Sequence, residues 1–254
     1  MAYVVEVCCF TIEDVIMAQK AGAQRVELCS DRAAGGTTPS YGLMEQVIET
    51  ISVDLAVIIR PRGGDSLYSP EELAVMERDI KIAGNLGAKA VVFGVIDETA
   101  FIDVAAMARL VDLAKSYNME AVCHRAFDRA RNPHEFLEEL LKLGVDRLLT
   151  SGQQPTATQG IPLLKELTAI AGDELAIMPG GGIRGNNFHP LLDLDIKDIH
   201  TGTSKTVKST VQTYQGNVHM GSPRQDEDER LVVDEKDVAV MVKAMAAKAK
   251  NKGL

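Results

Sequence analysis

With 254 residues, 46% hydrophobic and 25% charged, the chain has the composition of a folded globular protein, and its length suits one α/β barrel or two small domains. A net charge of −9 argues against nucleic acid or an anionic membrane surface as the main partner, and no apolar run approaches the roughly 20 residues that cross a bilayer. The apolar start is broken by Glu6 and lacks the basic leader of a secretory signal, so a cytoplasmic protein with its four cysteines as thiols is expected.

The first strand is predicted over 3–9, YVVEVCC, where alternation puts Glu6 and Cys8 on one face and Cys9 on the other. Thr11 followed by Asp14 marks the start of a helix. The phrase KAGAQRVELC (20–29) then joins a helix end, a C-cap glycine and a second strand carrying Glu27 and Cys29. It recurs as NLGAKAVVFG (85–94) and KLGVDRLLTS (142–151), and further strands are read at LAVIIRP (55–61), MEAVCHR (119–125), LAIMPGG (175–181) and KDIHTG (197–202). NPHEF places Asn132 as a helix cap, with Pro133 in the first turn and Glu135 behind it. Residues 203–231 have no clear period and are expected to form a long irregular segment, either a lid, an interface arm or a disordered stretch. A last helix over 234–250 carries acids at its start and lysines at its end, as the helix dipole prefers.

Near-continuous apolar strands alternating with helices indicate a parallel sheet covered on both faces. Eight such strands over this length match a TIM-type (β/α)8 barrel forming a single domain, 1–254, with a doubly wound open sheet as the alternative.

In such a barrel the polar residues at the C-terminal strand ends face the working end. Those ends carry Glu6 and Cys8, Glu27 and Cys29, Arg60 and Arg62, Gly94, His124 and Arg125, Thr150 and Ser151, Gly180 to Gly182, and His200. Buried charges need partners, so these groups form either a site or a structural ion-pair network. Cys8 and Cys29 fall at equivalent places on neighbouring strands, which run about 4.8 Å apart. If the stagger lets the sulfurs meet, two thiolates suit a soft ion such as Cu(I), while plain packing of both cysteines stays open. Cys9 and Cys123 are read as core residues facing the helices.

His124 shares the face of Val122 and is expected in the lumen, whereas Arg125 reaches over the strand end or pairs with Asp128. His200 is either a site residue or a satisfied structural histidine, and His134, His189 and His219 are expected at the surface. MPGGGIRGNN (178–187) spells G-x-G-x-x-G, yet it follows the seventh strand, and Asp198 stands at the wrong end of the next one, so it is a weak dinucleotide fingerprint. Loops after the last two strands of a barrel often bind phosphate, so Gly180, Gly181 and Gly182 either hold an anion or only turn the chain. In IRPRGGD (59–65), Arg60 and Arg62 offer forks that suit carboxylate or phosphate.

EVC, RVELC, GGTTPS (35–40), IRPRGGD, HRAFD (124–128), LTSG (149–152) and MPGGGI (178–183) together resemble the CutC family, in order and to about His200. The resemblance implies a TIM-type barrel, a cytoplasmic location and a role in Cu(I) handling, with Cys8 and Cys29 of the EVC and ELC motifs as the proposed copper ligands. HTGTS (200–204) departs from the serine- or cysteine-bearing stretch expected after the histidine.

A copper protein using Cys8 and Cys29 is therefore the first expectation. The alternative is an enzyme of unassigned reaction on a small phosphate- or carboxylate-bearing metabolite. It would hold the anion on Arg60, Arg62, Arg125, Ser151, Gly180, Gly181 and Gly182, and draw its catalytic groups from Glu6, Glu27, Arg60, His124 and His200. A scaffold that self-associates through 203–231 is a third reading, and a homodimer is compatible with all three.

Overall fold

Residues 3–211 and 228–251 are described by the computed structural model. Eight strands make one parallel sheet: β1 (Val4–Cys9), β2 (Arg25–Leu28), β3 (Asp54–Ile58), β4 (Ala90–Phe93), β5 (Glu120–Cys123), β6 (Arg147–Thr150), β7 (Ala176–Pro179) and β8 (Asp198–Thr201). Each pairs with its successor from β1 to β7, and β8 pairs with β1. β7 and β8 then lie side by side and close the ring, although no backbone ladder joins them. This is the (β/α)8 barrel, not the open sheet.

The covering helices are α1 (Ile12–Lys20), α2 (Tyr41–Thr50), α3 (Pro70–Leu86), α4 (Val104–Ser116), α5 (Pro133–Lys142), α6 (Ile161–Ala171) and α7 (Glu235–Asn251). Their starts follow cap chemistry. Thr11 accepts the Asp14 N–H, Asn132 accepts the Glu135 N–H, and Ser69 with Glu72 forms a reciprocal capping box. Between β7 and β8 only a short 3₁₀ turn, His189–Asp193, replaces a helix.

Residues 203–231 differ from the expected irregular segment. Ser204–Lys208 (β9) and Glu229–Val233 (β10) pair antiparallel, and 212–227 lie outside the described residues, as does His219. The pairing partner is more than twenty residues away, so no local period announces it. The hairpin is fastened to α1: Val233 donates its N–H to buried Asp14, and Arg230 pairs with Glu13. α7 covers the barrel with Val238, Met241 and Met245, each fully or almost fully buried and worth about 1.5–3 kcal/mol of apolar burial.

Most apolar side chains pack between sheet and helices, Cys9 and Cys123 among them. The lumen holds a smaller apolar cluster of Ala56, Ala90, Val92, Val122, Leu149 and Met178. Charged side chains fill the rest.

Candidate functional site at the barrel mouth

The acid on the first strand finds its partner inside the barrel. Glu6 stands level with Arg25 of β2 on one side and His200 of β8 on the other. Arg25 Nε donates to Glu6 Oε2, and its Nη2 donates to Asp198 Oδ2 at 2.8 Å. Arg147 places Nε 2.8 Å from the same Asp198 oxygen and reaches Glu120 with Nη2. Burial alone would raise the Glu6 carboxyl, but the Arg25 charge and the His200 hydrogen bond hold it well below the usual carboxylate range. Glu6 is thus an ionised anchor, 1% exposed, and takes no part in lining the cavity.

His200 joins that anchor to the thiols. Its Nδ1 lies 2.8 Å from Glu6 Oε1, which leaves Nε2 for Cys8 and, at 3.8 Å, Glu27. Burial opposes the charged imidazolium, yet the bonds to Cys8 and Glu6 outweigh it and raise the ring well above its ordinary value.

Cys8 is level with Glu27, and Cys29 stands just past the end of β2, two residues beyond Glu27, so the two cysteines are diagonal neighbours. Their sulfurs lie 3.6 Å apart, and the ligand atoms of Cys8, Glu27 and Cys29 all fall within 4.8 Å of one another. The Cys29 hydrogen bond, against the opposing effect of burial and with help from His200, brings the Cys8 thiol down to about 6. Burial and the neighbouring Cys8 push Cys29 well up. Glu27 is raised to about 8, first by burial and then by the Cys8 charge. At neutral pH this gives a thiolate, a thiol and a carboxylic acid. Such a set can take a soft cation as its remaining protons leave.

Above it opens a cavity of about 510 Å³, whose base carries Cys8, Glu27 and His200. Arg60, His124, Arg125, Gly181 and Gly182 line it. The buried Arg60 guanidinium is fixed by the carbonyls of Ala34, Gly36 and Gly64. Arg125 bonds both Asp128 and Ser151. The His124 ring lies over Gly94, where a Cβ would come within 2.7 Å of it. Burial first, and the Arg60 charge second, lower His124 to about 4.

Three expected anion ligands fall elsewhere. Arg62 turns outward to Glu72, Asp65 and the Leu67 carbonyl, because the start of α3 supplies carboxylates there. Ser151 is buried beneath Arg125, bound by Asp128 and the Gln154 carbonyl. Gly180 is a packing position: a Cβ would meet Leu149 at 2.3 Å and His200 Cβ at 3.2 Å, which would wedge β7 from β8. His134 and His189 are exposed, and His134 pairs with Glu166.

The sequence reading missed Arg25, Arg147 and Asp198 below the cavity, and Arg32, Arg129 and Arg184 around it. Alternation alone could have found Arg25, which stands two before Glu27 on the same face. No helix among the described residues is long and apolar enough to cross a membrane.

Comparison with known proteins gives consistent matches. The CutC family model matches residues 3–206. A CutC family protein of Photorhabdus laumondii is 41% identical over 237 residues, covering 93% of this chain and 94% of the relative. One from Parabacteroides distasonis is 43% identical over 224 residues, covering 87% and 91%. A solved CutC structure from Streptococcus agalactiae superposes with a TM-score of 0.73 at 32% identity, over 78% of this chain and 97% of that one.

Proposed function

Because this chain belongs to the CutC family, we propose that it handles copper in the cytoplasm, holding Cu(I) between Cys8 and Cys29 at the base of the barrel mouth. The observation that carries this reading is the 3.6 Å approach of the two sulfurs, with the Glu27 carboxyl beside them. The donor set fits the ion: soft thiolates select Cu(I) over harder cations. Cys8 is partly exposed and lines the open cavity, so the ion has an entry path. His200 and Glu6 act behind the thiols. The Glu6 carboxylate, anchored by Arg25, keeps the His200 ring turned with Nε2 toward Cys8, and the positive ring favours its thiolate.

An anaerobic Cu(I) titration against a competing chelator tests the assignment. Cys8→Ser and Cys29→Ser should each lose most of the affinity of the unaltered protein. Equal affinity in all three would remove the copper reading.

A further inference from the structure

The cavity is far more cationic than the protein around it. Five arginines, Arg32, Arg60, Arg125, Arg129 and Arg184, line it in a chain of net charge −9. Arg32 and Arg125 have carboxylate partners, Asp14 and Asp128. Arg60 and Arg184 have none among the described residues, and Arg129 feels only the charge of Asp65, with no ion pair formed. Arg60 is held by three carbonyls, the Arg184 guanidinium donates only to the Ile183 carbonyl, and Arg129 makes no side-chain hydrogen bond among the described residues. Copper alone gives no reason for this. Guanidinium groups without a carboxylate within ion-pair distance call for an anion at their end of the cavity.

Two further observations point the same way. His124 accepts the Ala126 N–H at Nδ1, which puts its own proton on Nε2, and that buried Nε2 has no partner. The ring that lines the cavity is therefore a neutral donor with nothing to donate to. The N–H groups of Gly181 and Gly182, which also line the cavity, make no hydrogen bond within the described residues. Gly181 has φ of +107°, and its missing Cβ lets the Arg125 guanidinium pack within 3.1 Å of that point. Unpartnered donors thus belong to lining residues from two segments, after β5 and after β7.

We propose that this cavity binds a small phosphorylated metabolite, its phosphate seated on Arg184, Arg125 and the Gly181–Gly182 backbone and its body extending toward His124 and Arg60. A phosphate is preferred to a carboxylate for two reasons. The donors come from two segments, Arg125 after β5 and Gly181, Gly182 and Arg184 after β7, and include backbone N–H groups as well as guanidinium forks. A charge of −1.5 to −2 also matches two guanidinium groups, of which Arg184 has no carboxylate partner among the described residues. The volume of about 510 Å³ is that of a metabolite site. No donor in this set is a sulfur, so the phosphate site stands or falls separately from the copper reading.

The test uses the full chain with a copper chelator present. Melting is followed in inorganic phosphate and in chloride at equal ionic strength, and binding of glycerol 3-phosphate is measured by calorimetry. Phosphate should raise the melting temperature above chloride, as a ligand of the native state does. Arg184→Gln should melt unchanged without ligand and bind glycerol 3-phosphate about tenfold more weakly, the loss of one charge-assisted contact. The proposal is overturned if phosphate gives no stabilisation beyond chloride in the unaltered protein. It is also overturned if malonate stabilises as much as phosphate, or if Arg184→Gln binds glycerol 3-phosphate as tightly as the unaltered chain.

Discussion

Cys8 and Cys29 meet diagonally across β1 and β2, 3.6 Å apart at their sulfurs, although the residue level with Cys8 is Glu27. The stagger therefore hands Cys8 two neighbours at once, a thiol and an acid. One thiolate in this trio lowers its own proton affinity at the expense of both others, which fixes the order in which they ionise.

Alkylation shows that order directly. Iodoacetamide labelling followed by mass spectrometry should modify Cys8 first, with a midpoint near pH 6, against about 8.5 for an unperturbed cysteine. Cys9 and Cys123 are buried and should stay unmodified until the protein unfolds. His200→Phe removes the cationic ring, so the Cys8 midpoint should move upward. A Cys8 midpoint near 8.5 in the native protein would contradict the geometry.

Arg25 joins Glu6 to Asp198 at 6% exposure. Arg25→Met keeps the length of the side chain but leaves both carboxylates without their shared cation. Breaking a buried pair in this way costs about 3–5 kcal/mol. Urea unfolding should show that loss through the midpoint, with an unchanged slope. A loss under 1 kcal/mol would mean that Arg147 and water compensate.

Glu27 gives the protein a pH dependence of definite sign. Its carboxyl is raised to about 8 in the folded chain, from 4.5. Between those values the native state holds one proton more than the unfolded state, so stability falls as pH rises. The contribution is complete below about pH 4.5 and is lost as pH climbs through 8. Glu27→Gln has no proton to lose. Chemical unfolding at pH 5 and pH 8 should therefore show the unaltered protein losing ground to this variant at the higher pH. A difference that does not change with pH would place Glu27 at its ordinary value.

Gly94 is the seat of the His124 ring. A methyl group there would lie 2.7 Å from Nδ1 and 2.8 Å from Cε1. Gly94→Ala should cost about 1–3 kcal/mol by overpacking and turn the imidazole away from the cavity. Thermal unfolding measures the first effect. The chemical shift of the His124 ring measures the second.

Much of the frame is legible in the order of residues. Alternation separates Cys8 from Cys9, and Thr11 and Asn132 announce their helices, because strand pleat and cap hydrogen bonds are local. Stagger is not local. It makes Glu27 the level partner of Cys8 and puts Arg25 against Glu6, and neither relation exists until β1 and β2 pair across the intervening helix. The two arginines of IRPRGGD look equivalent on paper, yet Arg60 turns inward to three carbonyls and Arg62 outward to the start of α3. Arg129 ends a short 3₁₀ turn, Arg125–Arg129, and Arg184 sits on a loop, and no periodicity encodes where either points. β9 and β10 have ordinary strand residues, but their partnership spans a long stretch of chain that hides it.

β7 and β8 are the one adjacent pair in the ring without a ladder, and Arg147 reaches across the lumen from β6 to Asp198 on β8. Mechanically the barrel is a split cylinder shut by an internal clasp, not a continuous hoop. Thermal opening has least to break along that slit, which runs up to Gly180 and ends beneath Gly181 and Gly182. A change that widens the slit would therefore also shift the wall of the cavity that Gly181 and Gly182 form.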